Sequence, residues 1–117
     1  MKNLLQDLKG FTGSETFYRH GLYRKFVYTE GARYLAEHAG AYWLLDYIFS
    51  KQGISAIGKE GFQAWIVKVQ DNGSAVIVLE DGNKNEIVRF RIPFTDFPLK
   101  EFTLWFIGGT LLLPSEY

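Results

Sequence analysis

The sequence lacks cysteine, carries no net charge and has no long apolar run. None of its 117 residues is cysteine, which excludes disulfide frameworks, thiol nucleophiles and cysteine-ligated zinc or iron–sulfur sites. Basic and acidic residues balance at 13 each, so the basic footprint of a dedicated DNA binder is missing. No run approaches the roughly 18 apolar residues that span a bilayer, and residues 1–9 are too polar for a signal peptide. We therefore expect a soluble, cytoplasmic protein with no membrane partner.

Catalytic and metal-binding motifs are equally scarce. The only histidines are His20 and His38, and no carboxylates stand near either at the spacing of a ligand set. The chain has no Gly-x-Ser-x-Gly nucleophile motif and no glycine loop for phosphate. We predict no metal and no cofactor, and the sequence favours a non-enzymatic protein without deciding the question.

What the chain does have is a strong strand pattern in its C-terminal half. Apolar-rich runs separated by turn residues cover residues 62–69, 75–79, 87–92, 102–107 and 110–113. The turns, such as Asp71-Asn72-Gly73, are of hairpin type. Residues 62–113 are therefore predicted to form an antiparallel β-meander of four to five strands.

Side-chain alternation predicts which face of the sheet is covered. Trp65, Val67 and Val69 share one face, and Val88, Phe90 and Ile92 share one face of a later strand. The run 75–79 is apolar on both faces. We therefore expect the second face to be covered too, by the N-terminal segment or by a second subunit.

The N-terminal half, residues 1–53, is predicted to be mainly helical. Helices are expected over residues 1–9, 29–39 with Thr29 as N-cap, and 41–51. Residues 15–28 fit a helix or a strand equally well. The length fits one domain, 1–117, of the α+β class, with N-terminal helices packed on the C-terminal sheet.

Candidate binding residues come from the aromatic content of 17%. All but one of the seven tyrosines lie between Tyr18 and Tyr47, and a tyrosine offers both an apolar ring and a polar tip. The candidate residues in this region are Tyr18, Arg19, His20, His38, Tyr42 and Asp46.

Two patterns connect these candidates to chemistry. Tyr34, His38, Tyr42 and Asp46 are spaced four apart and would form one row on a continuous helix, as a polar or general-base site. His38 and Asp46 would still be roughly 12 Å apart, and a break at Gly40 would remove the row. The basic and aromatic mixture over residues 18–25 is typical of single-strand binders. Ordinary surface packing explains either pattern as well.

Several motifs together resemble a small bacterial domain family of unknown function. They span residues 17–20 (FYRH), 28–31 (YTEG), 34–37 (YLAE), 41–46 (AYWLLD), 94–98 (FTDFP) and 112–117 (LLPSEY). Such families occur in bacteria, including cyanobacteria, often on plasmids and other mobile elements. The resemblance implies a bacterial, cytoplasmic accessory protein and gives no residue a catalytic role.

The sequence thus predicts a protein of unknown function, with three hypotheses in order. The first is a non-enzymatic interaction module that uses an aromatic-rich surface to bind a protein partner or a second copy as a homodimer. The second is a small-molecule or nucleotide binder, or a small enzyme, with a pocket between helices and sheet. The third is a nucleic-acid-binding accessory protein of a mobile element, which the neutral charge disfavours.

Overall fold

The computed structural model of the chain describes residues 3–13 and 16–117. Within these ranges the helices are α1 (Leu4–Leu8), α2 (Glu30–His38), α3 (Tyr42–Ser50) and α4 (Ser55–Gly58). The strands are β1 (Phe17–Arg19), β2 (Val27–Thr29), β3 (Phe62–Val69), β4 (Ala75–Glu80), β5 (Glu86–Ile92), β6 (Glu101–Ile107) and β7 (Thr110–Leu112). Two short 3₁₀ turns cover Lys51–Gly53 and Pro114–Glu116.

All seven strands form one sheet in the order β1-β2-β7-β6-β3-β4-β5. Every neighbouring pair is antiparallel except β2 and β7, which run parallel. The α+β class is confirmed, but a meander of four to five strands is wrong. Strands β1 and β2 come from the half predicted to be mainly helical, and β6 pairs with β3 on the side away from β4.

Strands β1 and β2, which the prediction did not include, lie in or next to residues 15–28, for which the sequence fitted a helix or a strand equally well. Residues 17–19 and 27–29 are extended and pair with each other, and a loop joins them. Three residues are too few to show the alternation that identifies a strand. Glu15, part of the same open segment, lies outside the described residues, as do Ser14 and the start of the helix predicted over 1–9.

The helices pack on one face of the sheet, which we call the core face. From the strands the core face carries Trp65, Val67, Ile77, Leu79, Leu104, Phe106 and Leu111. From the helices it receives Leu4, Leu8, Leu35, Leu44, Leu45, Ile48 and Phe49. The predicted faces of β3 and β5 are confirmed by the strand register, which places Trp65 opposite Leu79 and Leu79 opposite Val88. Burying each large apolar side chain contributes about 1.5–3 kcal/mol.

One polar side chain in this core has every hydrogen-bonding atom paired. Gln63 is fully buried and exchanges two side-chain hydrogen bonds of 2.9 Å with Gln52. Its amide also donates to the Ile57 carbonyl, and its oxygen accepts from the indole nitrogen of Trp65, both at 2.9 Å. Since a buried unpaired amide would be costly, this network fixes the segment around α4 onto the end of β3.

A buried carboxylate joins the C-terminal turn to the start of α2. Thr29 is the N-cap, as predicted, because its hydroxyl accepts from the amide of Ala32. The same hydroxyl donates to Glu116 Oε1 at 2.5 Å, while Glu116 Oε2 accepts from the Gly31 amide at 3.0 Å. Glu116 Oε1 also accepts from the Leu113 amide at 2.9 Å. A negative charge at this position stabilises a helix N-terminus.

Gly31 is required by the close approach of this turn. A Cβ atom at position 31 would lie 2.6 Å from Glu116 Oε1 and 2.7 Å from a methyl carbon of Leu113. The absence of a side chain therefore lets the carboxylate reach the helix backbone.

We predict that Glu116→Gln destabilises the fold. The neutral amide replaces a charged acceptor at the helix N-terminus with a weaker one, and its NH₂ group faces donors at a buried position. The expected loss is about 1–3 kcal/mol of unfolding free energy, measured by urea denaturation. Glu101→Gln, at an exposed strand end, is the matched control and should change little. Equal stability of the two variants would contradict the role given to Glu116.

A second carboxylate organises the turn between β4 and β5. Asp81 Oδ1 accepts from the amides of Asn83 at 2.8 Å and Asn85 at 3.0 Å. These backbone hydrogen bonds, led by that of Asn85, hold the pKa of Asp81 below its ordinary value of 3.8. Lys84 sits in the left-handed region with φ of 64°, so the turn depends on such local hydrogen bonds.

The lowered pKa of Asp81 predicts a pH-dependent contribution to stability. Because the folded-state pKa lies below the unfolded one, the contribution is complete above roughly pH 5. It is lost as the pH falls through the folded-state pKa. Asp81→Asn removes this dependence, so the stability gap between wild type and variant should shrink on acidification in thermal melts. Asp71→Asn, whose side chain is 98% exposed, is the control, and an equal trend there would argue against the assignment.

Candidate functional site

The structure brings two of the six predicted site residues into direct contact. His20, at the end of β1, lies with Nε2 2.6 Å from Asp46 Oδ1 on α3. The imidazole is 13% exposed and the carboxylate 62% exposed. The pair joins the loop between β1 and β2 to the helix that covers the sheet.

Both ring nitrogens of His20 are already engaged. Nδ1 accepts from the backbone amides of Leu22 at 3.1 Å and Tyr23 at 3.0 Å. The proton therefore sits on Nε2, which donates to Asp46. The ring also packs edge-on against Phe49, with centroids 5.0 Å apart. A general base needs a free lone pair within reach of a substrate proton, so this arrangement orients a loop instead.

The neighbouring candidates Arg19 and Tyr18 point to different partners. The Arg19 guanidinium donates to the carbonyl of Arg24 within the same loop. Tyr18 stacks on Tyr28 of the paired strand, with centroids 5.7 Å apart, and lies beneath α2. Arg19 thus serves the loop, while Tyr18 belongs to the surface of α2.

Around α2 a tyrosine–arginine cluster forms, made of Tyr18, Tyr28, Arg33, Glu37 and Tyr42. Arg33 donates to the Tyr18 hydroxyl at 2.9 Å, lies over its ring at 4.6 Å, and approaches Glu37 at 3.3 Å. The Tyr42 hydroxyl donates to Glu37 at 3.3 Å. Hydrogen bonding to Tyr18 raises the pKa of Arg33, and burial raises the pKa of Tyr28. The cluster presents one cation, one carboxylate and three phenols at the surface.

The predicted row of residues spaced four apart is wrong beyond its first pair. Tyr34 and His38 stack with centroids 3.9 Å apart on α2, and the Tyr34 hydroxyl donates to Asp7 at 3.1 Å. Gly40 then adopts φ of 60° and ends the helical path. Tyr42 and Asp46 therefore lie on a separate helix with different neighbours.

One small cavity touches this cluster. Its volume is about 170 Å³, and it is lined by Phe11, Tyr18, Glu30, Arg33, Tyr34 and Glu37. Tyr18 is the one sequence-predicted site residue among these. The binding role of all six residues, Tyr18, Arg19, His20, His38, Tyr42 and Asp46, stays a prediction.

A larger surface that sequence reasoning did not identify as a site lies on the other side of the sheet. We call it the outer face. Its apolar residues are Leu112, Trp105, Ile107, Phe62, Ala64, Ile66, Val76 and Val78. The buried leucine, isoleucine and phenylalanine side chains of α1, α2 and α3 all belong to the core-face cluster. Among the described residues, the outer face is therefore left without a helix.

Trp105 is the centre of the outer face. Its ring contacts Phe62 edge-on with centroids 5.1 Å apart, and contacts Tyr117 with centroids 5.7 Å apart. Tyr117 is 82% exposed. The doubly apolar strand β4 was the signal for this surface in the sequence. The expectation that the N-terminal segment covers it is wrong, because that segment extends the sheet and packs on the core face.

Charged residues of both signs surround the apolar part of the outer face. They are Lys68, Arg89, Arg91, Glu80, Glu86 and Glu101. Glu86 forms a two-point ion pair with Arg89 at 2.7 and 3.0 Å, and this bond lowers the pKa of Glu86. Three cations and three carboxylates make the surface electrically balanced.

A family of unknown function, DUF6876, matches residues 2–117. The chain belongs to this family. No curated protein and no solved structure matches it. The DUF6876 assignment agrees with the resemblance seen in the motifs and leaves the function to be argued from the surfaces just described.

Across residues 3–13 and 16–117, no three histidine or carboxylate side chains gather as a metal site would require. No helix in these ranges is long and apolar enough to cross a membrane.

Replacing His20 should expose the structural role of its pair with Asp46. We predict that His20→Ala lowers the unfolding free energy by about 1–3 kcal/mol, because two backbone amides and a packed ring lose their partner. His38→Ala, which removes an exposed ring on α2, is the matched control and should cost less. Chemical denaturation of both variants measures the difference, and a larger loss for His38→Ala would contradict this role.

Proposed function

We propose that this DUF6876 protein is a non-enzymatic interaction module that binds a second copy of itself through the outer face of its sheet. The observation that carries the proposal is the aromatic cluster of Trp105, Phe62 and Tyr117 on a sheet face without a helix. Tyr117 is 82% exposed, and Trp105 and Phe62 are half-buried, so the cluster is a partly exposed aromatic patch; exposed apolar patches are a mark of interaction sites. Tryptophan and tyrosine are enriched among the residues that dominate binding energy.

The charge distribution favours a second copy over a charged partner. The outer face carries three cations and three carboxylates, and the whole chain has no net charge. An identical surface therefore meets no net repulsion, and charges at the rim can pair with those of the other copy. A strongly acidic or basic partner would gain little from this surface.

The disposition of the polar residues supports a binding function over catalysis. In the contact between His20 and Asp46, the histidine ring nitrogens are engaged by backbone amides and by Asp46. These hydrogen bonds account for the conformation of the loop between β1 and β2, so the contact needs no catalytic role to explain it. We place the module in the bacterial cytoplasm, as the motif set implies.

A second candidate function, small-molecule binding, is favoured by the cluster around α2. Tyr18, Arg33 and Glu37 line a cavity there, with a cation and a carboxylate beside stacked phenol rings. Its volume of about 170 Å³ is below the roughly 300 Å³ at which ligand pockets commonly begin. We therefore rank it second.

Removing the Trp105 ring should dissociate the proposed homodimer. Wild-type protein is expected to elute with a mass twice the 13.5 kDa of the chain in size exclusion with light scattering. Trp105→Ser should weaken association by about 2 kcal/mol, or ~30-fold, as for a central aromatic. Phe94→Ser is the matched control, since Phe94 is an aromatic residue that is 77% exposed in the loop after β5 and outside the Trp105 cluster.

The Tyr117→Ala variant distinguishes loss of the dimer interface from loss of folding stability. Tyr117 is exposed in the single chain, so its truncation should weaken association while leaving thermal stability of the dissociated chain unchanged. A wild-type protein that stays at the mass of one chain across a concentration series would contradict self-association. So would a Phe94→Ser variant that dissociates as readily as Trp105→Ser.

A further inference from the structure

A cavity lies at one end of the outer face, beside strand β5. Its volume is about 580 Å³, within the range of roughly 300–1,000 Å³ typical of ligand sites. It is lined by Gln70, Asn72, Ser74, Ala75, Val76, Arg89, Arg91, Ile92 and Pro93. Strand β5 ends the sheet on this side, so the cleft is open to solvent along that edge.

The lining combines cations with neutral polar groups. Two guanidinium groups and the side chains of Gln70, Asn72 and Ser74 face the cleft, and none of the described lining residues is acidic. Val76, which lies opposite Arg91 on the outer face, supplies the apolar floor, and Pro93 lies at the side. The chemistry of the walls is thus that of a site for an anion with an apolar part.

The two arginines differ in what they can offer a ligand. Arg89 is held by the two-point ion pair with Glu86, and that partner neutralises its charge. Arg91 has no hydrogen-bond or ion-pair partner among the described residues. Its five N–H donors are therefore available in the planar fork that matches carboxylate and phosphate oxygens.

The turn between β3 and β4 supplies pre-oriented polar groups on the opposite wall. Asn72 Oδ1 accepts from the Ser74 amide at 3.0 Å and from the Ser74 hydroxyl at 2.7 Å. This leaves the Asn72 amide protons to donate outward. The turn is further fixed to the segment after β5, because the Thr95 amide donates to the Gly73 carbonyl at 2.8 Å. Both walls of the cleft are therefore tied together before any ligand arrives.

We propose that this cleft binds a small anion, with a phosphate or carboxylate group on Arg91 and an apolar part against Val76 and Pro93. The inference does not depend on self-association, since the lining comes from one chain. Phosphate and carboxylate share the recognition chemistry. The test uses one probe of each kind, phenyl phosphate and benzoate, which carry the same ring.

Each probe is titrated into ¹⁵N-labelled protein at constant ionic strength, which keeps general screening fixed. We expect saturable amide shifts at Ser74, Val76 and Arg91 with at least one probe, and the probe that binds identifies the oxyanion. Inorganic phosphate added alone should bind more weakly than phenyl phosphate, because it leaves the floor empty. Equal affinity of the two phosphates would overturn the role of the floor.

Arg91→Gln should weaken binding at least tenfold. Arg24→Gln removes the same charge from an exposed loop elsewhere and should leave the affinity within twofold of wild type. No saturable shift with either probe would overturn the proposal, as would equal losses in the two variants. Repeating the titration on Trp105→Ser separates the result from the fate of the proposed dimer: saturable shifts in the dissociated chain support the site whether or not the dimer forms, and their absence in both proteins overturns it.

Discussion

The carboxylate of Glu116 is the contact on which the arrangement of the chain's two halves depends. It accepts from the Thr29 hydroxyl and the Gly31 amide at the start of α2, and from Leu113 in its own turn. Just before these residues, β2 and β7 lie side by side in parallel. A parallel pair has no tight turn to join it, so the two segments need a bond of this kind to fix their register.

Local patterns predicted the central part of the fold and left its margins open. The alternation in β3 and β5 identified the buried face because each strand has seven or more residues. Thr29 was recognisable as a cap from its neighbours alone. Strands β1 and β2 carry three residues each; β1 pairs with β2, and β2 joins the sheet through β7, which is distant in sequence. No local signal could supply that partner.

In the candidate site too, contacts within one helix could be predicted from the sequence, whereas contacts between residues far apart in the chain could not. Tyr34 and His38 stack as their spacing predicts, because both lie on one helix. His20 and Asp46 were both named from the sequence, but their contact spans 26 residues and follows only from the packing of α3 on the loop. The apolar character of β4 pointed to two occupied faces. It did not show that the helices all pack on the same face of the sheet.

The parallel pairing of β2 with β7 also constrains the order of folding. Residues 27–28 align with residues 110–111, so the edge formed by β1 and β2 can join the sheet only after nearly the whole chain has been synthesised. Until then the hairpins β3–β4–β5 can form from neighbouring residues, while Tyr28 and the start of α2 have no sheet beneath them. Long-range closure of this kind slows folding. On the ribosome, residues 18–47 are therefore made well before the strand with which β2 pairs, and β2 reaches its place late.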